Sequence, residues 1–464
     1  MTFLAGAPAS GKTTLGRLLS DRLGVPSVDL DDEIVKAAGR PIPEMFARDG
    51  EAAFRRLEGE TLARVVRESP ESAIVALGGG ALLADENRRL CESSGTVLCL
   101  DAPDAEELAR RIGSAAGSRP LGDRARERAA HYASFPNRVA AFFEAGPSLV
   151  VVGRGFASPL LAGRRAVVDA TVASLHAARL PAPIGLVPSG ESNKTIATVC
   201  SIWSALAGVG TGRKDTVVAV GGGVTGDLVG FAAATWMRGI DWINVPTTLL
   251  SMVDASTGGK TGCDLPEGKN LAGAFHPPKL VLIDVDFLES LPPELVAAGR
   301  AEMIKHEAIG GLQSAAAPAP GVLPTAAEIA ANLMVKVRIV REDPFERLGR
   351  RILLNCGHTV AHAVEKATNY AVSHGDAVAI GCVEEARLAV RMSLAAPGWP
   401  DELAARFAAA GLPVAMPAGL DFDGLVPLMR GDKKRDGDTV TFALPCGWGD
   451  VRGVPVDLSK GASA

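Results

Sequence analysis

Apolar residues along this chain recur in two alternating rhythms. Short unbroken runs, at 73–77 and 96–100, read as strands buried on both faces. Between them, stretches such as 51–68 place apolar residues at helical spacing. Strand and helix in alternation predict βαβ units and a doubly wound parallel sheet over the first 145 residues. The segment 142–159 brings Gly, Pro and a fresh strand-like run, which places a boundary near 145–150. A second α/β series follows, with strands expected at 166–169, 216–220 and 280–283. After Pro292 and Pro293 the runs give way to Ala/Glu/Arg-rich helical stretches as far as about residue 410, with a loop at 315–324 (AAAPAPGVLP). The expected architecture is therefore α/β at 1–145 with a parallel sheet, Rossmann-like α/β at 150–290, and mostly helical at 291–458. No internal repeat is evident, which excludes a solenoid.

Composition narrows this picture. A chain of 464 residues exceeds one ordinary domain of about 100–200 residues. Aromatics make up only 5%, so Ala, Val and Leu must build the cores. With 48 basic and 53 acidic residues the net charge is −5, which argues against nucleic-acid and membrane-surface partners. No apolar run approaches the roughly 18 residues of a membrane span, and no signal peptide is visible. Seven scattered cysteines without a CxxC pair suggest reduced thiols and a cytoplasmic enzyme.

Two places carry chemistry. Gly6-Ala7-Pro8-Ala9-Ser10-Gly11-Lys12-Thr13 follows the apolar run Phe3-Leu4-Ala5 and fits GxxxxGK[ST], a phosphate-binding loop. Its glycines turn backbone N–H groups toward phosphate oxygens at a helix start. Lys12 would neutralise the γ-phosphate, Thr13 would hold Mg²⁺, and Gly6, Ser10, Gly11 and Thr14 complete the ATP cradle. Asp29 and Asp31 follow where the second strand should end, Arg55 and Glu58 lie on the next helix, and Gly78, Gly79 and Gly80 end the third strand.

The second place opens with VVAVGGGVTGD at 217–227, a strand running into three glycines. This turn is a weak dinucleotide signal alone, but a dense set of Gly, Thr, Lys and Asp follows at 245–270 and suggests a polar cleft for a phosphorylated or polyhydroxylated ligand. Three of the seven histidines, His358, His362 and His374, fall within 17 residues, and Glu302 lies on a nearby helix. His358 and His362 are spaced i,i+4 and share a helical face. Two of these histidines plus Glu302 would make a catalytic Zn²⁺ site with positions left open.

The first set of motifs (GxxxxGKT, DLDD, GEAAFRRLE, GGG and Arg119-Pro120-Leu121) resembles shikimate kinase over residues 1–145. That resemblance implies ATP with Mg²⁺ and places Asp29 near the metal. Asp31 would accept from the ring hydroxyls of shikimate and activate one of them. Arg55 would pair with the substrate carboxylate, Gly78, Gly79 and Gly80 would admit the ring, and Arg119 would cover ATP. Arg138 loosely matches a second carboxylate-binding arginine.

The second set resembles 3-dehydroquinate synthase from about 150 to 455, through SGESNK, GGGVTGDLVGF, MRG, PTTLLSMVDASTGGKTG, GKN, AEMIK, LNCGHTVAHAVE, HGDAV and GDKK. It implies NAD held by Asp169, Glu191, Lys194, Gly222, Gly223, Val224, Asp227, Thr247 and Thr248. It makes Glu302, His358 and His374 the ligands of Zn²⁺ or Co²⁺, and His362 a substrate or proton-transfer residue. Arg238, Asp254, Lys260, Lys269, Asn270, Lys305, Lys336, Arg351, Asn355, Lys433 and Lys434 would surround the phosphorylated substrate. The stretch 306–335 is shorter than the family's. A homodimer through the synthase part is expected. The combined reading is a bifunctional enzyme phosphorylating shikimate and cyclising 3-deoxy-D-arabino-heptulosonate 7-phosphate to 3-dehydroquinate. Against it stand a related sugar-phosphate cyclase or metal-dependent alcohol dehydrogenase on the same architecture, and an N-terminal part that binds nucleotide without catalysis.

Overall fold

The computed structural model describes residues 1–101, 131–311, 319–429, 435–436 and 439–459. The first part runs β1 (Thr2–Gly6), α1 (Lys12–Leu23), β2 (Ser27–Asp29), α2 (Leu30–Ala38), α3 (Ile42–Glu68), β3 (Ile74–Ala76), α4 (Asp85–Ser94), β4 (Thr96–Leu100) and β5 (Arg138–Ala145). The second runs β6 (Ser148–Arg154), α5 (Ala157–Leu161), β7 (Arg165–Asp169), α6 (Ala170–Leu175), β8 (Pro183–Val187), α7 (Ile196–Gly208), β9 (Thr216–Gly221), α8 (Gly223–Thr235), β10 (Asp241–Pro246), β11 (Lys260–Leu265), β12 (Gly268–Phe275) and β13 (Leu280–Asp284). The third comprises α9 (Pro293–Gly310), α10 (Ala326–Glu342), α11 (His358–Ala367), α12 (His374–Arg391), α13 (Trp399–Ala409), α14 (Phe422–Met429), β14 (Arg435–Asp436), β15 (Thr439–Gly447) and β16 (Asp450–Asp457). The strands expected from apolar runs all form. The last unit also holds a three-stranded antiparallel sheet, β14-β15-β16, which helical periodicity did not predict.

Eleven strands form one continuous sheet in the order β2-β3-β1-β4-β5-β6-β13-β10-β9-β7-β8. The boundary expected at 145–150 falls on the turn of a hairpin: β5 pairs parallel with β4 and antiparallel with β6. Every other neighbouring pair in this sheet is parallel. Strand direction therefore reverses once, between β5 and β6. Binding sites of open α/β sheets lie at the carboxyl ends of their strands, so the two halves present such ends on opposite edges of the sheet.

The core ignores the boundary as well. Leu4, Leu15 and Leu19 belong to the same apolar cluster as Leu149–Val152, Leu282, Ile329 and Leu333. Helix α10 closes this cluster by packing on β5 and β6. Its start is fixed by a capping box, in which Thr325 Oγ1 accepts from the Glu328 N–H at 3.2 Å and Glu328 accepts from the Thr325 N–H at 2.7 Å.

Candidate active sites

After β1 the backbone turns through positive φ at Gly6 (138°), Ala9 (62°) and Gly11 (97°) before α1 begins. Glycine reaches such angles without strain. A Cβ at Gly6 would also stand 2.7 Å from the Leu100 carbonyl oxygen. The N-terminus of α1 has no side-chain cap and is left to collect an anion. Lys12 Nζ donates to the Gly6 and Ala7 carbonyls at 3.0 and 2.8 Å. Thr13 Oγ1 donates to Asp29 at 2.6 Å, and the same carboxylate caps α2 by accepting from the Asp31 N–H at 2.9 Å. One side chain thus fixes both the helix and the hydroxyl. A cavity of about 720 Å³ runs from Ser10, Gly11, Lys12, Thr13 and Thr14 past Asp29 and Asp31 to Asp101 and the wall formed by 139–142 on β5.

The three glycines after β3 meet the expected side chains at close range. A Cβ on Gly78 would lie 2.8 Å from Asp31 Oδ1, one on Gly79 2.8 Å from Pro8, and one on Gly80 2.7 Å from Arg55 Nη2. Arg55 Nη1 is held 2.6 Å from Glu58, a carboxylate only 1% exposed. Asp31, Arg55 and the glycines therefore share one wall, and Glu58, quoted above in its motif without a role, orients the arginine. Arg138 is placed differently. It pairs with Asp101 and donates to the Tyr132 carbonyl at 2.9 Å, at the start of β5. In this structure its guanidinium fastens the start of β5 and does not share the wall of Asp31 and Arg55.

In the second half, β9 runs into Gly222, which caps α8 without a side chain. The Gly222 backbone packs on Thr248, since a Cβ there would stand 3.1 Å from Thr248 Cγ2. Thr247 N–H donates to the Gly221 carbonyl at 3.0 Å, which joins the ends of β9 and β10. Gly223 and Val224 open the helix, and Asp169 caps α6 beside Gly221, accepting from Thr171 and Val172 N–H at 2.9 and 3.2 Å and from Ser189 Oγ at 2.7 Å. This strand, glycine turn and helix suit a dinucleotide pyrophosphate. Lys194 is buried and donates to Asp227 and Asn270, both at 2.6 Å. Burial alone would lower its pKa, but Asp227, with Glu191 and Asp264 nearby, raises it. Lys269 lies 3.7 Å from Glu191 and 4.3 Å from the Tyr370 ring centre.

The helical unit brings its candidates to that cleft. Ligand atoms of Glu302, His358 and His374 lie within 4.8 Å of one another, and so do those of Asp254, Glu302 and His306. Two imidazoles and one carboxylate at this spacing fit a zinc-type cation with open positions. His358 and His374 reach Glu302 at 3.6 and 3.5 Å, and Lys305 pairs with the same carboxylate one turn on. Burial, with Lys305 nearby, pushes His358 well below its ordinary pKa, and the neutral form is the one that ligates metal. Burial would also lower His374, but Glu302 and Glu365 on its two nitrogens raise it to about 10. His362 stands one turn after His358, its ring 5.5 Å from that of His358.

Lys336 reaches across from α10 to Asp254 at 2.8 Å. Burial raises the Asp254 carboxyl, but Lys336, Lys305 and His306 outweigh it and hold it well below the usual range. Arg351 is buried against the Gly258 carbonyl at 3.1 Å. Lys260 pairs with Glu346 at 2.6 Å, and Asn355 ends the short helical turn before His358.

Family profiles match in the same order as the chain's parts: shikimate kinase at 8–148, 3-dehydroquinate synthase N-terminal at 184–298 and 3-dehydroquinate synthase C-terminal at 299–435. The 3-dehydroquinate synthase of Synechococcus sp. is 43% identical over 319 residues, covering 66% of this chain and 85% of that protein. The chain belongs to the 3-dehydroquinate synthase family and carries a shikimate kinase domain at its front. It is a kinase and a lyase on one polypeptide. The synthase of Symbiobacterium thermophilum is 40% identical, over 63% of this chain and 84% of its own. Among solved structures, a 2-epi-5-epi-valiolone synthase from Streptomyces hygroscopicus with NAD⁺ and Zn²⁺ is similar at 30% identity and a TM-score of 0.58, covering 68% of this chain and 94% of that one. A 2-deoxy-scyllo-inosose synthase with carbaglucose-6-phosphate, NAD⁺ and Co²⁺ follows at 28% and 0.57, covering 64% and 88%.

Some expected residues are not brought to the synthase cleft. Arg238 lies in a short turn after α8, before β10 begins, at the strand end opposite Thr247 and Thr248. Six strand residues separate it from them, about 20 Å of extended chain. Arg119, Lys433 and Lys434 lie outside the described residues. Conversely, sequence reasoning passed over His306, Glu365 and Glu385. Glu365 closes the motif LNCGHTVAHAVE, His306 and Glu385 follow AEMIK and HGDAV, and none carries a spacing that signals contact.

Proposed function

We propose that the N-terminal cleft transfers the γ-phosphoryl group of Mg²⁺-bound ATP to shikimate and that the C-terminal cleft converts 3-deoxy-D-arabino-heptulosonate 7-phosphate to 3-dehydroquinate and phosphate. In the kinase, Lys12 and the N-terminus of α1 would hold the phosphates, with Thr13 and Asp29 on the magnesium side. Arg55 would hold the shikimate carboxylate. Asp31 would take the hydroxyl proton as that oxygen attacks phosphorus and ADP leaves. Arg119 would close over the nucleotide.

In the synthase, Asp169, Glu191, Lys194, Gly222, Gly223, Val224, Asp227, Thr247 and Thr248 would hold NAD, while Glu302, His358 and His374 would hold zinc or cobalt. When bound, these groups supply hydride acceptance and return, and polarisation of the alcohol being oxidised. Lys260, Lys269, Lys305, Lys336, Arg351, Lys433 and Lys434 would neutralise the phosphorylated substrate, Asn270 and Asn355 would hydrogen-bond it, and His362 would carry a proton. The observation that carries this reading is the convergence of Glu302, His358, His374, Lys305 and Lys336, on helices, with Asp254, in the turn 251–255 after β10, on one place. Phosphate release from the heptulosonate phosphate, with NAD⁺ and after zinc or cobalt loading, tests it; no release would sink it. Lys12→Ala should lower shikimate phosphorylation by on the order of 10²-fold and leave phosphate release intact.

The units are taken as kinase at 1–145, NAD-binding at 150–290, and metal- and substrate-binding at 291–458. A homodimer follows from Arg238: to act on substrate from its place at the far strand end, it would have to enter the cleft of a second copy. A cytoplasmic location and the absence of nucleic-acid or membrane partners rest on the seven free cysteines and the net charge of −5.

A further inference from the structure

Helix α11 begins at Gly357, whose φ of 76° and lack of a side chain leave the first N–H groups without a local cap. The missing acceptor comes from another helix. Glu385, on α12 and fully buried, accepts from the Gly357 N–H at 2.8 Å with one oxygen, and from the Thr359 and Val360 N–H groups at 3.1 and 3.2 Å with the other. It covers the N-cap, N2 and N3 positions of a helix whose N1 residue is His358.

Glu385 also shares a helix with the second histidine. His374 is the first residue of α12, and the eleven residues to Glu385 span about three turns, which places both on one face. The two helices touch along this face through glycine: a Cβ on Gly381 would lie 2.1 Å from the Gly357 carbonyl oxygen, and one on Gly357 2.4 Å from Cys382 Sγ. The tautomer of His358 is set at the same turn, where its Nδ1 lies 3.1 Å from the Cys356 carbonyl oxygen and Nε2 is turned toward Glu302. We infer that Glu385 is a positioning residue of the metal centre, fixing the turn that presents His358 relative to the helix that presents His374. This rests on the assignment of Glu302, His358 and His374 as the metal ligands.

Outer-shell partners of metal ligands are worth about 10–100-fold in metal affinity. Glu385→Gln keeps the size and one acceptor oxygen but removes the carboxylate that serves three donors. Zinc affinity of the full chain, read by competition with a chromophoric chelator, is expected to fall by about 10–100-fold. The shikimate kinase activity of the same polypeptide reports whether it remains folded. An unchanged zinc affinity, even with a lowered melting temperature, overturns the proposal, because capping would then serve stability alone. If Glu385→Gln gives no folded chain, Glu385→Asp retains the charge but withdraws it by one methylene, and the same criterion applies to it. His358→Ala separates the two readings: if it binds zinc as the wild type does, the ligand assignment fails; if it loses zinc while Glu385→Gln does not, only the role of Glu385 fails.

Discussion

Both histidines and Lys305 converge on Glu302, which is 1% exposed. With positive partners around it, the carboxyl is held below its ordinary pKa although burial opposes this. His374 on its other side is raised to about 10, so at neutral pH the metal-free site keeps a proton where a cation would bind. That proton must leave as zinc enters, and metal binding then strengthens as pH rises toward 10. One released proton corresponds to about tenfold in apparent affinity per pH unit. Chelator competition at pH 7, 8 and 9 measures this slope, and a flat response in the wild type would refute it. The histidine spacing and Glu302 are legible in the sequence because helical periodicity puts i and i+4 on one face. Glu365 and Glu385 are not, because an acid on a helix reads as solvated charge until its neighbour is known.

At the scale of elements, β5 joins the two halves by pairing with a strand of each. Its sequence RVAAFFEA is that of a strand whatever it pairs with, and it lines the cavity beside the phosphate loop at 139–142 while β6 hydrogen-bonds its other side. Gly153 on β6 is the point of closest approach: a Cβ there would stand 2.0 Å from the Arg138 carbonyl oxygen. Gly153→Ala must therefore push the two strands apart. It should reduce shikimate phosphorylation and also lower the free energy of unfolding by an amount typical of overpacking, about 1–3 kcal/mol. Assaying the kinase reaction in this variant decides the matter, since a substitution in a detached synthase would leave that rate unchanged. Other elements were readable locally. The phosphate loop and the turns at Gly78–Gly80 and Gly222 announce themselves because glycine has few other reasons to cluster at strand ends.

For the whole molecule, the shared sheet makes the two enzymes one folding body with two mouths. The phosphate loop follows β1 and the glycine turn at Gly222 follows β9, and these strands run in opposite directions. The clefts consequently open on opposite edges of the sheet, and neither mouth faces the other. Cutting the chain near residue 148 would leave β5 and β6 as bare edge strands and split an apolar cluster that includes Leu15, Leu149 and Leu333. Exposed edges of that kind aggregate. The two pieces expressed separately should be poorly soluble, with each activity well below that of the intact chain. Two fully active, monodisperse pieces would refute the shared-sheet account.

The sequence by itself determined both chemistries: a phosphate loop followed by Asp31 and Arg55, and a glycine turn followed by Glu302, His358 and His374. These signals are local, a few residue types at fixed spacing along one strand or helix. Tertiary structure alone decided that β5 joins the strands of both halves, that Arg138 pairs with Asp101 at the start of that strand, that Arg238 stands at the opposite end of β10 from Thr247, and that Glu385 caps a helix not its own. The physical reason is common to all four. Backbone pairing and buried polar contacts depend on what lies across the gap, and residues far apart in the chain carry no period that records who their neighbour will be.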